Sequence, residues 1–145
     1  MKVLIGVDES PNSWAAVQFV KGNPWPPGSE FRVVSASPPV FLGPGETAAP
    51  VAIAQIIAQQ EAAARELAER AAGELRSAGL QAEAVMVPAD PRSALIDEAR
   101  HGQVDLIVVG SHGRSGLTKL LLGSVAAHVV AHAPASVLVV KQPRP

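Results

Sequence analysis

The sequence predicts an α/β domain: a doubly wound, five-stranded parallel sheet with helices on both faces. Three observations lead there. Short runs of strand character at 2–7, 31–36, 80–87, 104–109 and 136–140 alternate with segments of helical periodicity. Most of these runs are β-branched and aliphatic with little polar interruption, as strands covered on both faces are. No repeat of about 20–50 residues breaks the pattern, and no linker divides it, so residues 1–145 are read as one domain.

Each element has a local reason. Residues 2–7 form an apolar run that ends at Asp8. Ser10 can cap a helix and Pro11 fits its first position; Trp14, Val17 and Val20 continue at helical spacing until Gly22. Residues 23–29 hold three prolines and read as a turn. Residues 31–36 are the second strand, stopped by Pro38 and Pro39, and 40–50, with Gly43-Pro44-Gly45, read as a long loop. Residues 52–78 form one long helix with Ile53, Ile57, Ala64, Leu67, Ala71 and Leu75 as its apolar stripe. Glu61/Arg65 and Glu66/Arg70 are spaced as i,i+4 pairs, worth about 0.2–0.5 kcal/mol each. Gly79 ends that helix. Residues 80–87 are the third strand, and Asp90-Pro91 opens a helix running through Leu95, Ile96 and Ala99 to Gly102. Residues 104–109 are the fourth strand, 124–132 the last helix and 136–140 the fifth strand. If the fifth strand is an edge, two copies pairing there across a two-fold axis would cover it.

The bulk numbers exclude several classes. Lys and Arg number 12 against 13 Asp and Glu, and aromatics are 3%, so neither a basic surface nor base-stacking rings point to nucleic acid. Without cysteine there are no disulfides or thiolate metal sites. The apolar start stops at Asp8, short of the 7–15 residues of a secretory core, and no stretch nears the ~18 apolar residues of a membrane span. The expectation is a soluble, cytoplasmic protein with no membrane partner.

Chemistry concentrates after the fourth strand, at Gly110-Ser111-His112-Gly113, nine residues, then Gly123-Ser124. With Gly116, four glycines fall within fourteen residues, opening the backbone to close approach. The helix that follows offers unpaired N–H groups and a positive dipole end, which suits a phosphate. The spacing is neither Gly-x-Gly-x-x-Gly nor a Gly-Lys-Ser/Thr loop. Asp8 and Gly110 end their strands at the same edge, where open parallel sheets bind ligands. Asp8 could cap or be solvated, but Ser10 already fills the cap, so ligand contact is the reading taken. His112 reads as an exposed loop histidine, and Glu9 as surface. His128 and His132 have i,i+4 metal-ligand spacing. With no Glu beside them and no cysteine, one is read as facing solvent and the other a neighbour, with Val129 and Val130 packing between.

With those residues joined, the chain resembles the universal stress protein family in its nucleotide-binding branch. The likeness runs from Val3–Asp8 through the long helix to Val104-Asp-Leu-Ile-Val-Val-Gly-Ser-His-Gly-Arg-Ser-Gly and Gly123-Ser-Val-Ala, with that family's Gly-x2-Gly-x9-Gly-Ser spacing intact. The resemblance implies a sheet ordered 3-2-1-4-5 and ATP or a related adenine nucleotide as ligand, with Mg (or Mn) held mainly by the phosphates. It also implies a homodimer, placed here at the fifth strand. By the family pattern Asp8 holds ribose hydroxyls, the backbone near Ala36 meets the adenine edge, and Val109 and Gly110 pass beside the ribose. Gly113, Gly123, Ser124 and Val125 then face the phosphates. Two departures stand out: strand two ends Val33-Val34-Ser35-Ala36, where relatives often carry His then Val, and Ala89 stands where many have Gly, a methyl that either narrows the pocket floor or means little. The implied role is a small stress-response protein acting as a nucleotide-dependent regulator or switch. A slow ATPase or phosphotransferase, using Arg114 or Lys119 as cation and Ser115 or Thr118 as acceptor, and a nucleotide-free interaction module are the alternatives. No catalytic residue is assigned, because the loop holds no water-orienting Gln or Asp.

Overall fold

Aliphatic runs without charges can lie in a sheet only if something apolar covers both faces. The computed structural model describes residues 1–113 and 121–143 and meets that demand with β1 (Lys2–Val7), β2 (Glu30–Ala36), β3 (Gln81–Val87), β4 (Leu106–Gly110) and β5 (Ser136–Val140). Their order is β3-β2-β1-β4-β5, every pairing is parallel, and the sheet is the one the sequence implied. The helices are α1 (Pro11–Gly22), α2 (Pro50–Ser77), α3 (Pro91–His101) and α4 (Ser124–His132).

Because side chains alternate along a strand, β1 feeds two cores. Val3, Ile5 and Val7 pack with Val17 and Val20 of α1 and Ala71 and Leu75 of α2. Leu4 packs with Leu95, Ile96 and Ala99 of α3 and Ala126 and Val129 of α4. The chain thus winds outward to β3 on one face and returns past β1 to β4 and β5 on the other.

Local signals set most boundaries. Ser10 caps α1 through the Ser13 N–H at 3.2 Å, with Pro11 at its first position. The Ser10 hydroxyl also donates to the His112 carbonyl at 3.2 Å and is buried. Ser10→Ala should therefore cost about 1–2 kcal/mol, seen in thermal unfolding as a fall of several degrees; an unchanged midpoint would remove the cap from the account. In the proline-rich turn, the Trp25 indole N–H donates to the Val20 carbonyl at 2.8 Å, and its ring meets Phe31 edge-on at 5.4 Å. Gly79 has φ +81°, and Leu80 gives its N–H to Leu75 at 3.1 Å, so β3 starts at Gln81. Likewise β4 starts at Leu106, because Asp105 ties back to Lys2 through backbone N–H to carbonyl (2.8 Å) and carboxylate to N–H (2.7 Å).

The long helix departs from expectation. Only Ala64, Leu67, Ala68, Ala71, Ala72 and Leu75 of α2 are buried; Ile53 is half-buried and Ile57 exposed. Its 28 residues span about 42 Å, against about 23 Å for a seven-residue strand, so the first half overhangs the sheet's carboxyl edge. The i,i+4 pairs do not close either: Arg70 lies over the Trp14 ring at 4.8 Å, and Arg76 pairs with Glu69. Lys21 reaches across from α1 to Glu74 at 2.7 Å, and that hydrogen bond holds the Glu74 carboxyl below the usual range.

Candidate functional site

β1 and β4 lie side by side in register, Val3 beside Leu106 and Ile5 beside Val108. Beyond their carboxyl ends the chain leaves toward opposite faces, and the crevice between is where such sheets bind ligands. A cavity of about 230 Å³ opens there. Asp8, Ala36, Val109, Gly110, Gly113, Ser124 and Val125 all line it, and of the expected site residues only Gly123 does not. Val34, Pro91 and Leu95 add apolar walls. Ala89 is not among the lining residues, so its methyl does not narrow the floor.

Asp8 is half-buried and held from two sides. Its N–H donates to the Ser13 hydroxyl at 2.8 Å, and its Oδ1 accepts the Ser10 N–H at 2.8 Å. Oδ2 lies against Gly113, where a Cβ would come within 2.7 Å of it. The carboxylate therefore serves the start of α1 and the cavity together.

The glycines divide by task. A Cβ on Gly110 would come within 2.6 Å of the Asn12 carbonyl carbon and 2.8 Å of the Ser13 nitrogen, so this position lets α1 close on β4. Gly123 gives its N–H to the Ser111 carbonyl at 2.7 Å, and a Cβ there would stand 3.1 Å from the His112 Cα. It supports the 111–113 loop and does not present its N–H to the cavity. A serine at the start of an apolar helix could serve as its cap or face a phosphate. Gly123 is the N-cap, with no side-chain cap among the described residues, and Ser124 is exposed on the first turn. The first intrahelical bond runs from Ala127 N–H to the Gly123 carbonyl at 2.9 Å. The preceding N–H groups, on Ser124, Val125 and Ala126, belong to residues that line the cavity.

His112 is half-buried and lines the cavity, so it is not simply an exposed loop residue; its Nδ1 lies 3.1 Å from the Ser111 hydroxyl. Ser111, buried, reaches Asn12 Oδ1 at 3.2 Å, and the same oxygen accepts the Gln142 N–H at 3.1 Å. This clamp joins α1, the loop and the chain beyond β5. Sequence reading missed it, along with Leu95's place in the wall, since no local pattern marks either.

Asp90 caps α3 through the Arg92 N–H at 2.9 Å. The Arg92 side-chain hydrogen bond holds its carboxyl below the ordinary range, with His128 adding a smaller pull. Glu9 is exposed. Among the described residues no group of three or more His, Asp or Glu side chains could hold a metal ion. Arg114, Ser115, Gly116, Thr118 and Lys119 lie outside the described residues.

A larger cavity, about 680 Å³, lies at the amino ends of β1–β3 beside Lys2, Arg32, Arg76 and His101. Arg32 there is held by Glu83 at 2.6 Å and Glu98 at 2.9 Å. The smaller cavity is the better site, because a held carboxylate, a glycine loop and a helix N-terminus meet in it.

Residues 1–141 match the Universal stress protein family. Universal stress protein Rv2005c of Mycobacterium tuberculosis is 36% identical over 143 residues, covering 97% of this chain and 45% of its own length. Universal stress protein MJ0531 of Methanocaldococcus jannaschii is 39% identical over 66 residues, 46% of this chain and 39% of its own length. The matched part thus spans less than half of each of these relatives. Among solved structures, MJ0577 of Methanocaldococcus jannaschii superposes with a TM-score of 0.74 at 24% identity, covering 99% of this chain and 97% of its own. A universal stress protein in complex with cAMP gives 0.67 at 27% identity over 97% and 96%. The protein from Archaeoglobus fulgidus in complex with dAMP gives 0.66 at 23% over 97% and 98%. No helix among the described residues is long and apolar enough to cross a membrane.

Proposed function

The chain belongs to the universal stress protein family, and on that premise we propose that it binds an adenine nucleotide between β1 and β4 and acts as a nucleotide-dependent regulator in the cytoplasm. The observation that carries this reading is the meeting of Asp8, Gly113 and the first turn of α4 on one cavity. The cAMP and dAMP complexes of its structural neighbours support the adenine class.

Asp8 takes the ribose hydroxyls, the Ala36 backbone meets the base edge, and Val109 and Gly110 flank the sugar. Val34 and Leu95 supply apolar contact for the base. At about 230 Å³ the cavity falls below the ~300–1,000 Å³ of drug-sized ligand sites, so it takes the adenosine portion and leaves the phosphates at the rim. Gly113, Ser124 and Val125 meet them there, while Gly123 acts by holding the loop. For ATP, Mg or Mn is held mainly by phosphates and water. Among the described residues β5 is an edge strand, paired with β4, and a second copy laid along its other side gives a homodimer.

Calorimetry with AMP, cAMP, ADP and ATP tests the reading, and no binding of any of them at about 1 mM would sink it. Ser124→Ala should weaken ATP binding by about ten- to a hundredfold, the worth of one hydrogen bond to a charged group. An affinity within about twofold of wild type, well under 1 kcal/mol, would remove Ser124 from the phosphate site.

A further inference from the structure

The His128/His132 spacing was read from sequence as one ring toward solvent and one toward a neighbour. The structure adds which neighbour the half-buried ring meets. The two rings stack on each other, centroids 4.3 Å apart and planes at 25°, with His132 exposed and His128 half-buried. Val129 between them is buried, while Val130 is exposed.

We infer that His128 and His132 form a two-ligand site for a borderline divalent transition ion of the Zn²⁺, Ni²⁺ or Cu²⁺ class on the outer face of α4. His132 Nδ1 lies 3.0 Å from the His128 carbonyl. A carbonyl oxygen only accepts, so Nδ1 carries the hydrogen and the lone pair of the neutral ring sits on Nε2. Metal-bound histidines are oriented by this kind of second contact. Two tetrahedral ligands each 2.0–2.1 Å from zinc stand about 3.3 Å apart, nitrogen to nitrogen; side chains four apart on a helix are neighbours, and the two rings, stacked on each other without the ion, turn out of the stack to bring both nitrogens to it.

The electrostatics agree. His132 is the last residue of α4, where the helix dipole favours a cation. The two imidazoles exclude hard ions, since Mg²⁺ and Ca²⁺ require oxygen ligands. No third protein ligand stands within reach among the described residues, so water or an outside donor completes the shell.

Calorimetric titration of the full chain with ZnCl₂ and MgCl₂, in a buffer that does not bind metals, tests the site. Expected is one zinc equivalent and no magnesium binding. His128→Gln and His132→Gln should each weaken zinc by at least about tenfold, while His101→Gln and His112→Gln leave it unchanged. Zinc should raise the unfolding temperature of the parent chain but not of the two α4 variants, which checks that these fold. The assignment is overturned by no zinc binding at about 1 mM, or by equal affinity in the parent and both α4 variants. Nucleotide plays no part in the titration, so the outcome is independent of the nucleotide site.

Discussion

Gly110→Ala should cost the fold about 3 kcal/mol or prevent its formation. The new methyl would lie 2.6 Å from the Asn12 carbonyl carbon, 2.7 Å from its oxygen and 2.8 Å from the Ser13 nitrogen. All three are backbone atoms, so no side-chain rotation relieves the contact. That turn of α1 is also held in place. Ser13 bonds to Asp8 and Ser10, and Asn12 bonds to Ser111 and Gln142. For a chain of this length such a loss lowers the unfolding midpoint by roughly 6–12 °C. A midpoint within about 2 °C of the parent, less than 1 kcal/mol, would mean that α1 can withdraw from β4 freely.

Gly113→Ala should act on binding instead of folding. Here, among the described residues, the methyl would meet only the Asp8 carboxylate, with Oδ2 at 2.7 Å, and a carboxylate can move where a backbone cannot. Displacing it breaks the proposed contact with the ribose, a hydrogen bond to a charged group worth about 1.5–3 kcal/mol, or roughly 10–150-fold in nucleotide affinity. Asp8→Ala should lose a similar amount of affinity and, in addition, about 1 kcal/mol of stability from the Ser10 N–H it leaves without its acceptor. Because both changes act through one carboxylate, the double variant should bind nucleotide no more weakly than Asp8→Ala alone. Calorimetry on the four proteins closes the cycle. Additive losses would show that Gly113 and Asp8 contribute separately.

The two glycines look alike in sequence, three residues apart on one loop, yet the structure assigns them different neighbours. Gly113 lines the cavity and lies against Asp8. Gly110 needs its missing side chain for α1, an element that begins a hundred residues earlier in the chain. Ser124 shows the same limit on a smaller scale. Its place after a glycine and before an apolar helix suited a cap, but capping depends on which residue leaves helical geometry, and that is Gly123. His128 and His132 were separable only by knowing which neighbour each ring would find, and each found the other.

What the amino-acid order determined unaided was whatever acts within a turn or a strand: the Ser10 and Asp90 caps, the stop at Gly79, the five aliphatic runs and so the layered α/β class. Those effects depend on backbone geometry and on neighbours a few residues away. The cavity depended on the tertiary structure. Asp8 meets Gly113, and Ser10 meets His112 across 102 positions, only because the winding reverses between β1 and β4. The overhang of α2 likewise follows from helix length set against strand length, a comparison that exists only once the two are packed together.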